Sequence, residues 1–567
     1  MEPIWLAQYD AGVPAHLTYP AGPVQRFLET AAAQSPDNIA TLFFGARMTY
    51  REVNDEASRL AHALQVHGLQ PQDRVAIVLP NCPQFIIAYY AVLKAGGIVV
   101  PTNPTYTPRE FQYQFADSGA RMAIALDLFV PAIQEIQAET AITTLIVAYI
   151  QDYLPTMLSY LYPIKAKREG TAVRIPRAAG VYDFGALIRQ TDPQYRPVAV
   201  AESDLAVLQY TGGTTGRSKG AMLTHRNLIA NTWQTRCWLP DARTDGSEMF
   251  LAVTPFFHVY GMSSVMNFAV AVAGTLLMLP RFNTKEVLRA IARYKATTFG
   301  GVPTMYIAIN NFPDVKKYDL SSIRACISGA APLPHEVSQT FEQLTGGRLR
   351  EGYGLTEASP VTHCNPIYGP SRPGSIGVPF PDVDVQLLDL ADGHALPAGE
   401  VGELAVRGPQ VMAGYWNRPD ETAAVLRDGW LLTGDMARMD ADGYFYIVDR
   451  KKDLIIAGGF NIYPREVEEV LYEHPQVLEA VVAGVPDAYR GETVKAYIVL
   501  KEGGQATAEE IIAFCRQRLA GYKAPRQVEF RTSLPKSLIG KHLRRVLVEE
   551  ERARLAAAAA PPNQGAA

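Results

Sequence analysis

Cysteine is scarce in this sequence and follows no metal-ligand spacing. The five cysteines are scattered along the chain, and no two of them form a C-x-x-C pair. An odd and dispersed set predicts neither a disulfide framework nor a structural zinc site. A reducing compartment fits this pattern best.

An excess of one charge sign is also missing. The 53 lysines and arginines and the 57 aspartates and glutamates leave a net charge of −4. A chain without a basic excess has no global electrostatic footprint for DNA or RNA, so nucleic acid is not an expected partner. Because 567 residues are too many for one compact core, we expect at least two domains.

No hydrophobic run is long enough to span a bilayer. The most apolar stretch, Val265–Leu279, is interrupted by small or polar residues, namely Asn267, Gly274 and Thr275. It predicts a buried helix that runs into a strand. The first ten residues lack the basic start of a signal peptide. We therefore expect a cytoplasmic protein, with a peripheral location on the inner membrane face left open.

Helical and strand patterns alternate along the first part of the chain. Tyr50–Val66 has apolar residues at helical spacing, Arg74–Leu79 reads as a buried strand, Phe85–Lys94 as a helix and Ile98–Val100 as another strand. This alternation is typical of the α/β class, with parallel sheets covered by helices.

The pattern changes after Gly377. Short segments there alternate apolar and polar residues between turns, as antiparallel strands do. A smaller α+β unit begins near Asp449, which predicts domains at 1–449 and 450–555. The alanine- and proline-rich tail 556–567 is expected to be disordered.

The segment Tyr149–Arg168 mixes tyrosines and leucines and ends on a basic cluster. The favoured interpretation is a surface loop packed on the body of the protein, because Pro155 and Pro163 interrupt a long helix. Aromatic residues beside basic ones are also typical of an element that contacts a membrane surface, and peripheral membrane contact is the alternative.

A stretch rich in glycine and threonine follows an apolar strand pattern. It contains three glycines, three threonines and a lysine, namely Thr211, Gly212, Gly213, Thr214, Thr215, Gly216 and Lys219. Glycines let the backbone approach a polyanion, exposed N–H groups bind anions, and the lysine supplies a charge for phosphate. The spacing matches neither the Walker pattern nor G-x-G-x-x-G. A glycine-rich surface turn is the structural alternative.

This stretch resembles the phosphate loop of the adenylate-forming enzymes, the superfamily that includes acyl-CoA synthetases, nonribosomal adenylation domains and beetle luciferases. The family's other motifs follow in order over about Thr49–Arg545. The whole chain is most similar to bacterial long-chain fatty-acid CoA ligases. The resemblance implies a large N-terminal domain of parallel αβα sheets with a small β-barrel, followed by a small mobile C-terminal domain.

The resemblance also implies roles for motif residues around the nucleotide. Glu351–Glu357 looks like the family's Y-G-x-T-E element. In it Tyr353 would lie against the adenine, Thr356 would bond a phosphate and Glu357 would hold Mg²⁺, with Gly352 and Gly354 also among the cofactor-binding residues. Small residues after an apolar strand pattern resemble the adenine-facing loop, namely Ser328, Gly329 and Ala330.

Further motifs complete the implied site. Asp435 and Arg450 would contact the ribose, and Lys452 stands at the family's hinge position. Gly458 and Gly459 would line the path of the pantetheine thiol. Lys541 would bond the acyl carboxylate and the α-phosphate, a form of electrostatic catalysis, and His258 would lie near the carboxylate, with Phe256, Phe257, Val259, Met262, Val265 and Met266 lining an apolar pocket.

The chain departs from the family pattern at Ser218, where proline is common, and at Ile539, where a small hydroxyl residue is usual. Neither change removes a charged group. The implied reaction joins a fatty acid to AMP at the expense of ATP and transfers the acyl group to coenzyme A. The alternatives are an aryl- or medium-chain acid CoA ligase, an acyl-AMP ligase that delivers to a carrier protein, a phosphate-loop kinase or ATPase, and a non-catalytic lipid-binding protein. The expected partners are small molecules, and a homodimer is left open.

Overall fold

The chain folds into two compact units. The structure, a computed structural model, describes residues 3–173, 175, 178–211, 218–457, 460–487, 490–536 and 542–559. The first unit comprises the described residues up to 211, Ser218–Asp384 and Val406–Leu431. The second comprises Val385–Ala405 and the described residues from Leu432 onward.

The first unit contains two large sheets. Its strands are β1 (Ile39–Phe43), β2 (Ala46–Thr49), β3 (Arg74–Val78), β4 (Ile98–Pro101), β5 (Met122–Leu126), β6 (Thr144–Ala148), β7 (Val181–Asp183), β8 (Leu205–Tyr210), β9 (Gly220–Thr224), β10 (Met249–Ala252), β11 (Thr275–Met278), β12 (Thr298–Gly301), β13 (Ala325–Ser328), β14 (Arg348–Gly354), β15 (Val361–Cys364) and β16 (Val378–Pro379). One sheet has the order β7-β6-β5-β3-β4-β8-β9, and the other has the order β16-β15-β14-β13-β12-β10-β11-β1-β2.

Helices connect these strands, as the alternating sequence pattern predicts. They are α1 (Arg26–Gln34), α2 (Tyr50–Val66), α3 (Pro83–Lys94), α4 (Pro108–Ser118), α5 (Val130–Ile136), α6 (Thr156–Arg168), α7 (Phe184–Gln190), α8 (His225–Trp238), α9 (Phe268–Ala271), α10 (Thr284–Tyr294), α11 (Pro303–Asn310), α12 (His335–Thr345) and α13 (Pro419–Val425). Most pairings within the two sheets are parallel. The predicted α/β class is therefore confirmed.

Helix α2 shows why the sequence pattern identified its bounds. Thr49 and Glu52 form a capping box, in which the Thr49 hydroxyl accepts from the Glu52 N–H at 3.2 Å and Glu52 accepts from the Thr49 N–H at 2.7 Å. Its apolar residues at helical spacing, including Val53, Leu60 and Leu64, are fully buried.

The parallel strands of the second sheet bring several loops to one edge. The Cα of Gly301 at the end of β12 pairs with Ser328 at the end of β13, and Ser328 pairs with Glu351 in β14. Because the carboxyl ends of parallel strands share an edge of the sheet, the residues that follow β12, β13 and β14 lie side by side.

The apolar run Val265–Leu279 forms a helix and a strand, as predicted. A π-helix covers Tyr260–Asn267 and continues into α9, after which β11 joins the sheet. Residues of the π-helix are buried throughout. In the part of the chain that the structure describes, no helix is both long and apolar enough to cross a membrane.

The second unit is smaller, and the remaining strands of the chain form two five-stranded sheets. The remaining elements are β17 (Asp384–Leu388), β18 (Val401–Arg407), β19 (Leu426–Arg427), β20 (Trp430–Met439), β21 (Phe445–Arg450), β22 (Ile455–Ala457), β23 (Phe460–Ile462), α14 (Pro464–Tyr472), β24 (Val477–Asp487), β25 (Gly491–Leu500), α15 (Ala508–Arg516), β26 (Gln527–Phe530) and α16 (Arg544–Ala559). By residue range, β19 and the terminal residues of β17, β18 and β20 belong to the first unit. β17 to β21 form one sheet and β22 to β26 the other. A buried apolar cluster lies between the β22–β26 sheet and α14 and α15.

Two predictions about local structure were wrong. The segment predicted as a loop after Tyr149 contains the regular helix α6, with Pro163 inside it. Proline removes a single backbone donor, and the helix continues on both sides of that gap. Helix α16 reaches Ala559, so residues 556–559 belong to a helix and not to the predicted disordered tail. Residues 560–567 lie outside the described residues.

Two buried histidines predict that the chain loses stability as the pH falls from neutral. Burial lowers the pKa of His225 from 6.5 to about 4 and that of His363 to about 3. The Nδ1 atom of His225 accepts a hydrogen bond from the Val24 N–H at 3.1 Å. Because the folded pKa lies below the unfolded one, the stability from the neutral rings is complete above pH 6.5 and is lost as the pH falls toward 4.

The variant His225→Gln tests this prediction through urea unfolding midpoints at several pH values. Between neutral pH and about pH 5, the wild type should lose about 2 kcal/mol more of its free energy of unfolding than the variant. His335→Gln, on an exposed residue of α12, should keep the wild-type pH dependence. Equal pH dependence in His225→Gln and the wild type would contradict the prediction.

Candidate active site

The base of the predicted phosphate loop is closed by hydrogen bonds. The Thr211 N–H donates to the Lys219 carbonyl at 2.9 Å, and the Ser218 hydroxyl donates to the Thr211 carbonyl. The Tyr113 hydroxyl donates to the Ser218 carbonyl at 2.7 Å. Ser218, a departure from the family pattern, therefore ties the two ends of the loop. The predicted loop residues Gly212, Gly213, Thr214, Thr215 and Gly216 lie outside the described residues.

Lys219 and Glu357 meet through a tyrosine that the sequence analysis did not identify. The ammonium of Lys219 lies 5.0 Å from the centroid of the Tyr415 ring and forms an ion pair with Glu421. The Tyr415 hydroxyl donates to Glu357 Oε1 at 2.6 Å. Burial, and then the Glu357 carboxylate, raise the pKa of Tyr415, so the phenol stays protonated and donates. This network joins a candidate phosphate ligand to a candidate metal ligand.

The strand β14 presents the Tyr353 element at the edge of the sheet. Tyr353 pairs with His363 of β15, and their rings are 6.0 Å apart. A side chain at Gly354 would place its Cβ 2.2 Å from the Pro360 carbonyl oxygen, so only glycine fits there. The chain then turns through a short 3₁₀ helix, Thr356–Ala358, which contains Thr356 and Glu357.

The predicted adenine-facing loop lies beside this strand. Ser328 ends β13, and the Gly329 N–H donates to the Gly301 carbonyl at 3.1 Å. Ala330 has a φ of 68°, which turns the chain away from the sheet. A Cβ at Gly329 would lie 3.5 Å from the Tyr260 ring and 3.9 Å from the Gly352 carbonyl. The structure thus brings Ser328, Gly329 and Gly352 together, and their contact with a nucleotide stays a prediction.

His258 lies in the loop that follows β10, and two amide side chains hold that loop. The Asn81 side chain donates to the Thr254 carbonyl at 2.9 Å and accepts from the Phe256 N–H at 2.8 Å. The Gln209 side chain donates to the Phe257 carbonyl at 3.0 Å. Sequence reasoning missed both residues, although each stands at the end of a predicted strand.

The backbone also orients the His258 ring. Its Nδ1 atom accepts from the Tyr260 N–H at 3.3 Å. In the neutral ring this places the proton on Nε2, which is then the donor toward a bound group.

An apolar cavity lies beside the π-helix. Its lining includes Trp238, Leu251, Val265, Phe268, Gly300 and Ile327. Of the six residues predicted to line an apolar pocket for the acyl chain, Val265 is among those that line this cavity, and the lining of the acyl pocket stays a prediction. Strands β10, β12 and β13 supply one wall of the cavity. Tyr260, whose hydroxyl donates to the Ile327 carbonyl at 2.8 Å, separates the cavity from Gly329.

In the second unit, Asp435 and Arg450 lie together. Their Cα atoms pair in the antiparallel ladder of β20 and β21, and Arg450 Nε lies 3.3 Å from Asp435 Oδ1. Burial lowers the pKa of Lys452, which follows β21. The remaining predicted residues of this unit, Gly458, Gly459 and Lys541, lie outside the described residues.

An arginine joins the two sides of the predicted hinge. Arg544 lies 2.7 Å from Asp453, 3.7 Å from Asp449 and 2.7 Å from Glu468 of α14. Burial raises the pKa of Asp449 to about 6. Lys452 therefore stands between two carboxylates, Asp449 and Asp453, that one guanidinium holds.

Comparison with known proteins identifies the family. The model of the family described as AMP-binding enzyme matches residues 28–416, more than half of the chain. The chain belongs to the AMP-binding enzyme family. The model of this family's C-terminal domain matches residues 466–541. The resemblance stated from the motifs is confirmed, and so is the predicted class, an AMP-forming acyl-CoA synthetase.

Relatives within the AMP-binding enzyme family match the chain over nearly its whole length. The long-chain-fatty-acid–CoA ligase of Bacillus subtilis (strain 168) is 50% identical over 549 residues, which cover 96% of this chain and 98% of the relative. The feruloyl-CoA synthase of an Amycolatopsis species is 38% identical over 514 residues, covering 90% and 96%. Among solved structures, ATP-bound MatB from Rhodopseudomonas palustris superposes with a TM-score of 0.82 at 30% identity, covering 93% and 99%.

Proposed function

We propose that this chain activates a long-chain fatty acid in two steps, through an acyl-adenylate that is then converted to acyl-CoA with release of AMP and pyrophosphate. The observation that carries the proposal is the joining of Lys219 and Glu357 through Tyr415, in a unit that also contains an apolar cavity. The identity of 50% to a long-chain-fatty-acid–CoA ligase over nearly the full chain supports the same substrate class.

The first step needs charge neutralisation at phosphate. An oxygen of the acyl carboxylate attacks the α-phosphorus of ATP, and pyrophosphate leaves. Lys219, Lys541 and the Thr356 hydroxyl stabilise the phosphate oxygens, and His258 donates from Nε2 to the acyl carboxylate. Asp435 and Arg450 hold the ribose, and the Gly329 and Tyr353 loops hold the adenine. These roles are proposed from the motif positions, and the contacts described for Lys219, for His258 and for Asp435 with Arg450 support them.

The residues present fit a magnesium ion held at Glu357. Magnesium binds through one or two carboxylates and shares phosphate oxygens with the substrate. One oxygen of Glu357 accepts from Tyr415, which orients the other for an ion, as second-shell partners of metal ligands do. When bound, the ion supplies positive charge for the phosphates of ATP.

In the second step the thiol of coenzyme A must reach the acyl-adenylate. We place the domain boundary at 449/450, the hinge at Lys452 and the mobile domain at 450–555. In this scheme the mobile domain rotates about Lys452 after the first step. The rotation withdraws Lys541 from the acyl-adenylate and brings Gly458, Gly459 and the thiol of coenzyme A to it. The Arg544 cluster on both sides of Lys452 supports a hinge at this position, because a rotation there must rearrange one of its ion pairs.

The apolar cavity supports an alkyl chain as the acyl group. Tyr260 lies between the cavity and the Gly329 loop, and it is two residues from His258. A carboxylate near His258 would therefore direct its hydrocarbon chain along the π-helix into apolar surroundings. An aryl acid is the second candidate, favoured by the identity of 38% to a feruloyl-CoA synthase.

Gly300 is predicted to control the length of the acyl chain. A Cβ at this position would lie 3.0 Å from Val265 Cγ2 and 3.2 Å from the Tyr260 hydroxyl, so a larger side chain fills the cavity. Gly300→Leu should lower kcat/KM for hexadecanoate by about 10-fold or more relative to octanoate. Gly521→Leu, which meets no atom within 4 Å, is the matched control. An unchanged ratio in Gly300→Leu would assign the alkyl chain to another path.

The proposed function is tested by measuring AMP release that depends on both ATP and coenzyme A, across acids from acetate to octadecanoate and including cinnamate-like acids. The greatest kcat/KM with long alkyl acids is expected. A preference for aryl acids would favour the second candidate, adenylation without acyl-CoA product would favour delivery to a carrier protein, and ADP as product would exclude the proposal. A homodimer and a peripheral location on the inner membrane face stay predictions.

A further inference from the structure

Helix α6 turns its apolar residues outward. Met157, Tyr160, Leu161 and Ile164 are 74%, 77%, 51% and 67% exposed. They follow the spacing i, i+3, i+4, i+7, which places them in one stripe along the helix. The residues that face the protein are small or polar in part, namely Ser159, Tyr162 and Ala166. The helix therefore exposes a stripe of large apolar side chains, and its most buried residue is the small Ala166.

A second exposed aromatic residue belongs to a turn whose next residue, Gly45, lies near the start of this helix. Phe44 is 44% exposed in the two-residue turn between β1 and β2, where its φ is 49° and that of Gly45 is 99°. Such turns favour asparagine or glycine at the first position, and a bulky residue there costs about 1–2 kcal/mol. A Cβ at Gly45 would lie 3.9 Å from Pro155, the residue before α6. The turn thus exposes an aromatic side chain near the start of α6 despite its backbone cost.

Basic residues border the apolar stripe, and acidic residues are absent from it. The last turn of α6 contains Lys165, Lys167 and Arg168, and no aspartate or glutamate occurs from Thr156 to Arg168. At about 100° per residue, the two lysines lie on opposite sides of the stripe and Arg168 continues it. The side chain of Lys165 is 67% exposed and forms an ion pair at 3.9 Å with Glu169, the residue that follows the helix. Cations around an apolar centre complement an anionic lipid surface.

We propose that α6 and the Phe44 turn form a docking surface for membranes that contain anionic phospholipid. The stripe enters the boundary between headgroups and acyl chains, Tyr160 lies at the level of the headgroups, and the three cations contact phosphate. A protein partner is less well matched, because the stripe is narrow and every charge along it has the same sign. This inference goes beyond the proposed function and does not require it, since lipid binding needs neither ATP nor coenzyme A.

The test is sedimentation of the full chain with vesicles of phosphatidylcholine alone or with one third phosphatidylglycerol, at low and high salt and without substrates. The wild type should bind the anionic vesicles and release at high salt. The triple variant Lys165→Gln/Lys167→Gln/Arg168→Gln should bind more weakly, by about fivefold for each charge at low salt. Tyr160→Ser/Ile164→Ser should lower the partition coefficient about 10-fold or more.

The matched control is Val66→Ser, because Val66 and Ile164 are both 67% exposed. It should bind vesicles like the wild type, and all variants should keep the wild-type urea midpoint, which excludes misfolding as the cause. Wild-type protein that stays in solution with both vesicles would overturn the proposal. Binding of the α6 variants to anionic vesicles as tightly as the wild type would also overturn the proposal. So would a wild-type protein that binds no vesicles but self-associates, if the α6 variants abolish that self-association.

Discussion

Replacing Lys541 by alanine is expected to lower the rate of acyl-adenylate formation by about 10²–10³-fold, the usual effect of removing one group that stabilises developing charge. The variant should still convert a supplied acyl-adenylate and coenzyme A to acyl-CoA at nearly the wild-type rate. The reason is that the lysine acts on the phosphate and carboxylate of the first step, whereas the second step breaks the finished acyl-phosphate bond. The two half-reactions are measured separately, by ATP–pyrophosphate exchange and by thioester formation.

The control for this experiment is Lys501→Ala, because Lys501 is an exposed lysine of the same unit whose ammonium donates to the Pro475 carbonyl at 2.7 Å. It should leave both half-reactions unchanged. Full ATP–pyrophosphate exchange in Lys541→Ala would remove the role proposed for this residue, and equal losses in both half-reactions would indicate a defect of the whole unit.

Glu357→Gln is expected to lower kcat/KM for ATP by about 10²-fold or more and to raise the magnesium concentration that gives half-maximal activity. The glutamine keeps the size of the side chain and removes the negative charge that a hard cation requires. Tyr415→Phe should have a smaller effect of about 10-fold on the same magnesium dependence, because it removes the hydrogen bond that orients the carboxylate. Both effects are measured in magnesium titrations at saturating fatty acid.

Glu336→Gln provides the control, since Glu336 is an exposed carboxylate in the first turn of α12. Its magnesium dependence should match that of the wild type. If Tyr415→Phe lowers the activity without moving the magnesium dependence, Tyr415 acts on Lys219 and not on Glu357. An unchanged magnesium dependence in Glu357→Gln would exclude Glu357 as the ligand.

The local spacing of apolar and capping residues in the sequence was sufficient to predict much of the fold. Helix α2 begins and ends at the predicted residues because its capping box and its apolar spacing are both contained in one short segment. Helix α6 was missed for the opposite reason. Proline inside the segment argued against a helix, and the exposure of an apolar stripe cannot be known before its neighbours are placed.

The candidate site was predicted as residue types in motifs, whereas its connections were not. Tyr415 reaches Glu357 across 58 positions of sequence, and Asn81 holds the His258 loop across 175. Contacts at such separations depend on the order of strands in the sheets, which local periodicity does not contain. The cavity depends on the same strand order, because one of its walls comes from β10, β12 and β13.

The central claim is that an acyl carboxylate attacks the α-phosphorus of ATP. The most direct test uses hexadecanoate labelled with oxygen-18 in its carboxylate, together with ATP and coenzyme A, followed by mass spectrometry of the products. One labelled oxygen should appear in AMP, because the bond formed in the first step leaves that oxygen on phosphorus when coenzyme A takes the acyl group. Labelled inorganic phosphate accompanied by ADP, or unlabelled AMP, would contradict this account.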